Sequence, residues 1–337
     1  MRLICWYVLW QKMARKMSAY SAYDNTLALQ SYPILAPQSN EVRIQVKAAG
    51  INRADIFQVQ GRYPSPEGAP AGPGLEVSGV IESCGPNVSG INVGDTVCAL
   101  LEGGGYATHV VVPCTQILPI PEGLSFEEAA VLPEACFTVW YNLFHLLTLR
   151  PQSSVLIHGG SSGIATMAIQ VLKCFGHTSI VTTSRAEKVN ALKELGANHV
   201  LNYHEEDFVE AVSHITGGKG VDVVFDMVGG PYFQRNMKAL AVGGVLLSIA
   251  FLQGAKTEVN FASLLMKNLT IKGSTLRNQS HAIKAKLTNE IDKQLWPFVA
   301  QGKIRPLIDQ QFAFSDVKAA HEVMMGNYHV GKLVLSL

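Results

Sequence analysis

The spacing of apolar and polar residues changes character twice along the chain. Over the first 120 or so residues the apolar runs are short and cut by turn formers. Glu41–Ala48 alternates, as a half-buried strand does. Glu76–Cys84, Thr96–Leu101 and Tyr106–Val112 read as further strands, with turns at Pro86–Gly94 and Gly103–Gly105. Met17–Gln38 has strand and turn character, and Gly61–Gly74, dense in Gly and Pro, reads as loop. This pattern predicts a compact, barrel-like β domain.

From Pro121 the pattern becomes helical. Ser125 followed by Glu127 and Glu128 reads as a helix N-cap with acids in its first turn. Thr138–Leu147 predicts an apolar helix. Beyond Val155, strand and helix alternate: strands at Val155–Ile157, Ser179–Thr183, Val200–Leu201, Val221–Asp226, Val245–Phe251 and Leu269–Gly273, with helices at Ile164–Phe175, Glu187–Leu195, Asp207–Ile215 and Asn236–Leu240. Such alternation implies a parallel sheet covered by helices. The end of the chain reverts: a helix over His281–Gln301 broken by Pro297, strands at Ile304–Ile308 and Lys332–Leu335, and a helix at Ser315–Met325. These last elements are expected to fold back onto the β domain, leaving the parallel-sheet domain inserted within it.

Val155–Ala165 (VLIHGGSSGIA) carries the most chemistry. An apolar strand, a turn containing Gly159, Gly160 and Gly163, and an apolar helix make a phosphate site. Glycines admit a pyrophosphate close to the backbone, and the helix start offers unpaired N–H groups. A plain βα turn shares this pattern. About twenty residues further on, a dinucleotide fold sets its specificity, with an acid for NAD. This chain has Ser184, Arg185 and Lys188 there, cations suited to the 2′-phosphate of NADPH. The other reading is solvated charges at a helix start.

Composition narrows the classes. A length of 337 residues suggests two domains, and 48% hydrophobic with 16% charged residues is ordinary for a globular protein. A formal net charge of +1 gives no field favouring nucleic acid or a membrane surface. Six scattered cysteines form no C-x-x-C pair, so neither a disulfide framework nor a Cys-rich zinc site is expected, and a cytoplasmic setting fits. Ile4–Trp10 is apolar but too short to span a bilayer. A disordered extension, a start misassigned upstream of Met17 and an interfacial anchor all stay open for it.

Several stretches together resemble the zinc-independent quinone oxidoreductases of the medium-chain dehydrogenase/reductase superfamily, near the inducible group related to zeta-crystallin. They are AGINRADIFQVQGRY (49–63), PGLEVSGVI (73–81), LLEGGGYATHVVVP (100–113), IPEGLSFEEAAVLPEACFTVW (120–140), HGGSSGIATMAIQ (158–170), GSTLR (273–277) and GKLVL (331–335). The resemblance covers the chain from about Met17 to its end. It implies an α/β fold: a Rossmann doubly wound parallel sheet, residues 129–277, inserted into a β-rich GroES-like catalytic domain. That domain would comprise residues 1–128 and 278–337, with 1–16 an extension of unclear role. It also implies a homodimer, with a tetramer open, through pairing of sheet edges near Val245–Phe251.

Where zinc-containing members of the superfamily place ligands, this chain has Asn52 or a neighbour and Leu75, so no metal is expected. Glu134 stands near a third such place, and His109 and Cys114 read as ordinary strand and loop residues. The activity implied is hydride transfer from NADPH to a quinone. Reduction of an enone or other activated alkene, or non-catalytic NADPH binding as in a crystallin, are the alternatives.

By resemblance, Asn52 would bond the nicotinamide ribose or the substrate oxygen, and Tyr63 would face the acceptor as a hydrogen-bond or proton donor. Capping a turn and anchoring a loop are their simpler roles. Some relatives carry a second Tyr where Phe57 stands. Thr138 would lie near the nicotinamide; Ser161, Ser162, Gly163 and Ile164 would line the pyrophosphate, and Tyr203 would cover the adenosine phosphate. Phe251, Leu252, Thr275 and Leu276 would offer backbone groups to the carboxamide. Lys332 would reach a cofactor phosphate or ribose, or else be a solvated edge-strand charge.

Overall fold

A computed structural model describes residues 16–23 and 26–337. The expectation for Ile4–Trp10 lies outside the described residues. The chain divides into two units. The first draws on the chain up to Glu134, on Arg277–Lys293 and on Ile308–Leu337; the second is Ala135–Leu276 with Gln294–Leu307.

The first unit opens on a hairpin of β1 (Lys16–Tyr23) and β2 (Thr26–Pro33). There follow β3 (Glu41–Ile51), β4 (Glu76–Cys84), β5 (Thr96–Leu100), β6 (His109–Pro113) and β7 (Ile117–Pro119). β3 alternates between buried and half-buried positions up to Ala48, then is buried through Ile51. The helix Arg53–Val59 leaves the end of β3, a segment whose fold the apolar pattern left open. The Ser125 cap is as expected: its hydroxyl accepts from Glu128 N at 3.1 Å, and Glu128 Oε2 accepts from Ser125 N at 2.9 Å. Val42, Ile44, Ile51, Val77 and Leu333 are wholly buried in one core with the helix residue Val317. Burying each such side chain contributes about 1.5–3 kcal/mol.

The second unit contains β8 (Ser154–Ile157), β9 (Thr178–Thr183), β10 (His199–Asn202), β11 (Val221–Asp226), β12 (Leu240–Ser248) and β13 (Thr270–Gly273). All pair in parallel, in the order β10-β9-β8-β11-β12-β13. Counted from β8 this is 3-2-1-4-5-6, the doubly wound dinucleotide-binding order. Val155, Leu156 and Ile157 are fully buried, as a central parallel strand requires. The chain then returns to the first unit with β14 (Ile308–Ala313) and β15 (Lys332–Ser336). They complete a sheet ordered β14-β15-β3-β4-β5-β7, with β6 paired to β3.

Several expectations need correction. β12 begins at Leu240 and ends at Ser248, not at Val245 and Phe251; Leu240 pairs with Val221 and Val245 with Val223, so the glycine pair sits in a bulge. β12 is also an interior strand. Sheet-edge pairing near Val245–Phe251 is therefore ruled out, and β13 is the edge. The helix expected over Thr138–Leu147 is instead Pro133–Trp140 followed by a wider π turn at Tyr141–His145, where the Trp140 and Phe144 rings stack at 4.6 Å. The strand expected over Ile304–Ile308 begins only at Ile308, as β14. Arg305 is tied at both its backbone groups to the Gln170 amide, each at 2.9 Å, and Pro306 has no N–H to give a ladder. The same ties, with Phe298 against Phe175 at 5.5 Å, account for Gln294–Leu307 clustering with the second unit.

Candidate active site

In the first unit, three adjacent strand ends build the site. β15 pairs with β3 so that Leu333 lies opposite Ile51, and β3 pairs with β4 so that Ala49 lies opposite Val77. That register brings Lys332, Asn52 and Glu76 together. The Lys332 ammonium lies 2.5 Å from Glu76 Oε1 and 2.6 Å from Asn52 Oδ1. The Asn52 amide donates to Glu76 Oε1 at 2.9 Å, and Glu134 N donates to Glu76 Oε2 at 2.8 Å. Glu76 is wholly buried, and Gly50 makes room for it: a Cβ there would fall 2.2 Å from Glu76 Oε1. Asn52 does occupy a helix N-cap, yet its amide is turned to this cluster.

Asp55 forms the next layer. Its carboxylate accepts from Asn52 N at 2.7 Å, Gly74 N at 3.0 Å and the Tyr106 hydroxyl at 3.0 Å. Burial pushes its pKa up to about 6, against the pull of those donors and of Lys332. His321 Nε2 lies 3.3 Å from the Tyr106 hydroxyl, and burial lowers that imidazole to about 4.

Tyr63 lies beneath a clamped cation. Arg277 donates to Glu102 O at 2.8 Å, Gln58 Oε1 at 2.8 Å and Ser65 Oγ at 3.0 Å, and its guanidinium carbon sits 5.3 Å from the centre of the Tyr63 ring. Burial raises the Tyr63 phenol above its ordinary range; Glu134 adds to the rise and Arg277 opposes it. Glu134 is itself pushed up to about 8 by burial and by Glu76.

The second unit gathers its candidates at the carboxyl ends of its parallel strands, where open α/β sheets take ligands. After β8, Gly159 adopts φ +68°, a left-handed turn that glycine tolerates. Ser162 caps the helix Gly163–Cys174, accepting from Ala165 N at 3.2 Å. Ser161 and Ile164 flank that start, half-buried. After β9 come Ser184 and Arg185. Arg185 pairs with Glu187 at 3.2 Å on the surface, whereas Lys188 is buried and donates to Ser161 Oγ at 3.1 Å. Tyr203 follows β10, its ring 4.7 Å from His204 and 6.4 Å from Tyr232. Phe251 and Leu252 follow β12, exposed; Thr275 and Leu276 follow β13. Thr138 is buried on the helix Pro133–Trp140.

Beneath the turn, His158 is fully buried. Its Nδ1 lies 3.0 Å from Thr182 Oγ1 and its Nε2 2.7 Å from Asn236 Oδ1; burial lowers it to about 4. It is therefore a neutral support for the loop.

These donor sets fit a phosphorylated dinucleotide: a capped helix start, a left-handed glycine and a buried ammonium stand together. They do not fit a zinc ion. An ammonium fills the place between Asn52 and Glu76, Leu75 is aliphatic, and among the described residues no three His, Cys, Asp or Glu side chains are arranged to hold a metal.

Asp55, Glu76, Tyr106 and Arg277 were not singled out from the sequence. The available signal was a charge where the strand pattern calls for an apolar residue, as at Glu76 in LEVSGV.

Residues 38–122 match the alcohol dehydrogenase GroES-like domain, and residues 163–293 the family described as zinc-binding dehydrogenase. The chain is 31% identical to quinone oxidoreductase 1 of Escherichia coli over 89% of its own length and 92% of that protein's. It is 32% identical to a zebrafish (Danio rerio) synaptic vesicle membrane protein VAT-1 homolog, over 95% of this chain and 69% of that one. Among solved structures, Escherichia coli quinone oxidoreductase complexed with NADPH superposes with a TM-score of 0.84 at 29% identity, covering 96% of this chain and 99% of the other.

Proposed function

Since the chain belongs to the zinc-independent quinone oxidoreductase-like family of the medium-chain dehydrogenase/reductase superfamily, we propose that it is an NADPH-dependent reductase of quinones. The observation that carries this reading is the pairing of the buried Lys188 ammonium with Ser161 beside the Ser162-capped helix. A cation held there suits the extra phosphate of NADPH, and the capped helix start suits the pyrophosphate. NADPH supplies the hydride when bound.

The remaining work belongs to the protein. Ser161, Ser162, Gly163 and Ile164 bind the pyrophosphate, and Lys188, Ser184, Arg185 and Tyr203 bind the adenosine end. Thr138, Phe251, Leu252, Thr275 and Leu276 line the nicotinamide. Asn52 is oriented by Glu76 and Lys332, so one face of its amide is fixed before any ligand arrives. Lys332 spends two of its three donors on Glu76 and Asn52, which leaves one for a ribose hydroxyl. Tyr63, its ring against Arg277, presents a hydroxyl to the acceptor.

Cys84, Cys98, Cys114 and Cys174 are free thiols, which suits a reducing, cytoplasmic setting. No described helix is long and apolar enough to cross a membrane. A homodimer would form through the exposed edge strand β13, where Ile271 is 39% exposed.

Two titrations and one assay test the reading. Wild type binds NADPH at least tenfold more tightly than NADH, since a charged hydrogen bond contributes about 1.5–3 kcal/mol. Lys188→Ala abolishes that preference, while Arg185→Ala, whose cation is shared with Glu187, reduces it less. NADPH is consumed with a simple ortho-quinone. Consumption only with enones would move the reading to alkene reduction; none with either, alongside tight binding, would move it to a binding protein.

A further inference from the structure

Three carboxyl groups converge in the first unit, Asp55 and Glu76 wholly buried and Glu134 half-buried, and their hydrogen bonds divide them into two kinds. Glu76 accepts from Lys332, Asn52 and Glu134 N. Asp55 accepts from Asn52 N, Gly74 N and Tyr106. Each is a carboxylate with three donors. Glu134 differs: only its backbone is engaged, and among the described residues its carboxyl group has no hydrogen-bond partner. Its neighbourhood already carries two anions against the Lys332 ammonium and the Arg277 guanidinium, which are bonded elsewhere. A third anion without a donor would be poorly stabilised, so Glu134 is the carboxyl that keeps its proton.

The residue is half-buried, so the site is reachable. Tyr63 is the other acid nearby. Burial above all makes it harder to ionise, which fits it to hold an oxygen by hydrogen bond rather than to give up a proton.

We propose that Glu134 is the proton donor to the acceptor, with Tyr63 the group that orients the acceptor oxygen. This rests on the reductase reading above. In the step, the Glu134 O–H bond breaks and an O–H bond forms on the acceptor oxygen. The acceptor's two electrons and its first hydrogen come as the hydride of the reductase reaction. Water then returns a proton to the Glu134 carboxylate. The charged and titratable groups facing Glu134 are Glu76, Lys332, Asp55, Arg277 and Tyr63.

The test pairs a spectroscopic readout with a kinetic one on the full chain. Infrared difference spectra between pH 6 and 10 carry a carboxylic-acid band that disappears as pH rises through about 8, and Glu134→Gln lacks that band. With a weakly activated quinone, wild-type turnover falls over the same range. Glu134→Gln lowers turnover by about 10²-fold, in the range of general-acid contributions, and loses the alkaline limb. Tyr63→Phe mainly raises KM and keeps the limb.

No Glu134-dependent band, or a limb that persists in Glu134→Gln and vanishes in Tyr63→Phe, overturns the assignment. A wild type that shows the band but consumes NADPH with no acceptor overturns the reductase reading, and with it the proton-transfer role, while confirming the protonated carboxyl. Circular dichroism of both variants identifies any that fail to fold; Glu134→Asp, which keeps the acid, then restores the limb if the assignment is right.

Discussion

Replacing Lys332 by Met removes the cation from the buried Glu76 carboxylate while keeping most of the side-chain volume. Glu76 is 0% exposed and Lys332 is 5% exposed, so water does not screen the pair. After the change Glu76 retains the Asn52 amide at 2.9 Å and Glu134 N at 2.8 Å, but loses the ammonium at 2.5 Å, and Asn52 Oδ1 loses its donor. Breaking a buried ion pair from one side is worth about 3–5 kcal/mol. Lys332→Met should therefore destabilise the protein by roughly that amount.

Glu76→Gln in the Lys332→Met background removes the stranded charge and should recover a large part, giving a coupling energy of about 2 kcal/mol. The assay is urea unfolding followed by far-ultraviolet circular dichroism. A single variant within 1 kcal/mol of wild type, or a double variant no better than the single, would refute the argument that this pair neutralises a buried charge.

Two further outcomes follow from the second unit. His158, lowered to about 4 by burial, is neutral when folded and charges more readily when unfolded; wild type should therefore lose stability relative to His158→Gln as pH falls from about 6.5 towards 4, by up to about 3 kcal/mol, read from denaturation midpoints across that range. A difference independent of pH would show that the imidazole does not sit neutral beneath the turn. Gly160→Ala would place a Cβ 2.0 Å from Val181 Cγ1 and 3.1 Å from Thr182 O, so it should cost about 1–3 kcal/mol and weaken NADPH binding, seen by thermal unfolding and titration; an unchanged melting temperature would mean that the turn does not need this close approach.

The periodic parts of the fold were legible in the sequence. Val155–Ile157 and Val223–Phe225 are uniformly apolar because both faces of a parallel strand are covered, and Ser125 announces its helix through local chemistry. Elements set by long-range contacts were not. The ties from Gln170 that hold Arg305 away from a strand are 135 residues distant in sequence. The bulge in β12 depends on pairing with β11, and its glycines alone read as a turn.

Residue type speaks directly at Ser162, which caps its helix, and at Ser161 and Lys188, which the fold brings into hydrogen-bond contact. The Asn52–Glu76–Lys332 cluster depends on the register of three strands, with Lys332 lying 280 residues from Asn52. No local pattern carries such a register.

The most direct measurement is an anaerobic single turnover: protein saturated with one equivalent of NADPH is mixed with a simple ortho-quinone, and the reduced-nicotinamide absorbance is followed. The proposed reductase reading predicts complete oxidation of one equivalent per chain by wild type, with Lys188→Ala failing to hold the cofactor at the same concentration. Stable reduced nicotinamide in the presence of quinone, bound but not oxidised, would contradict it.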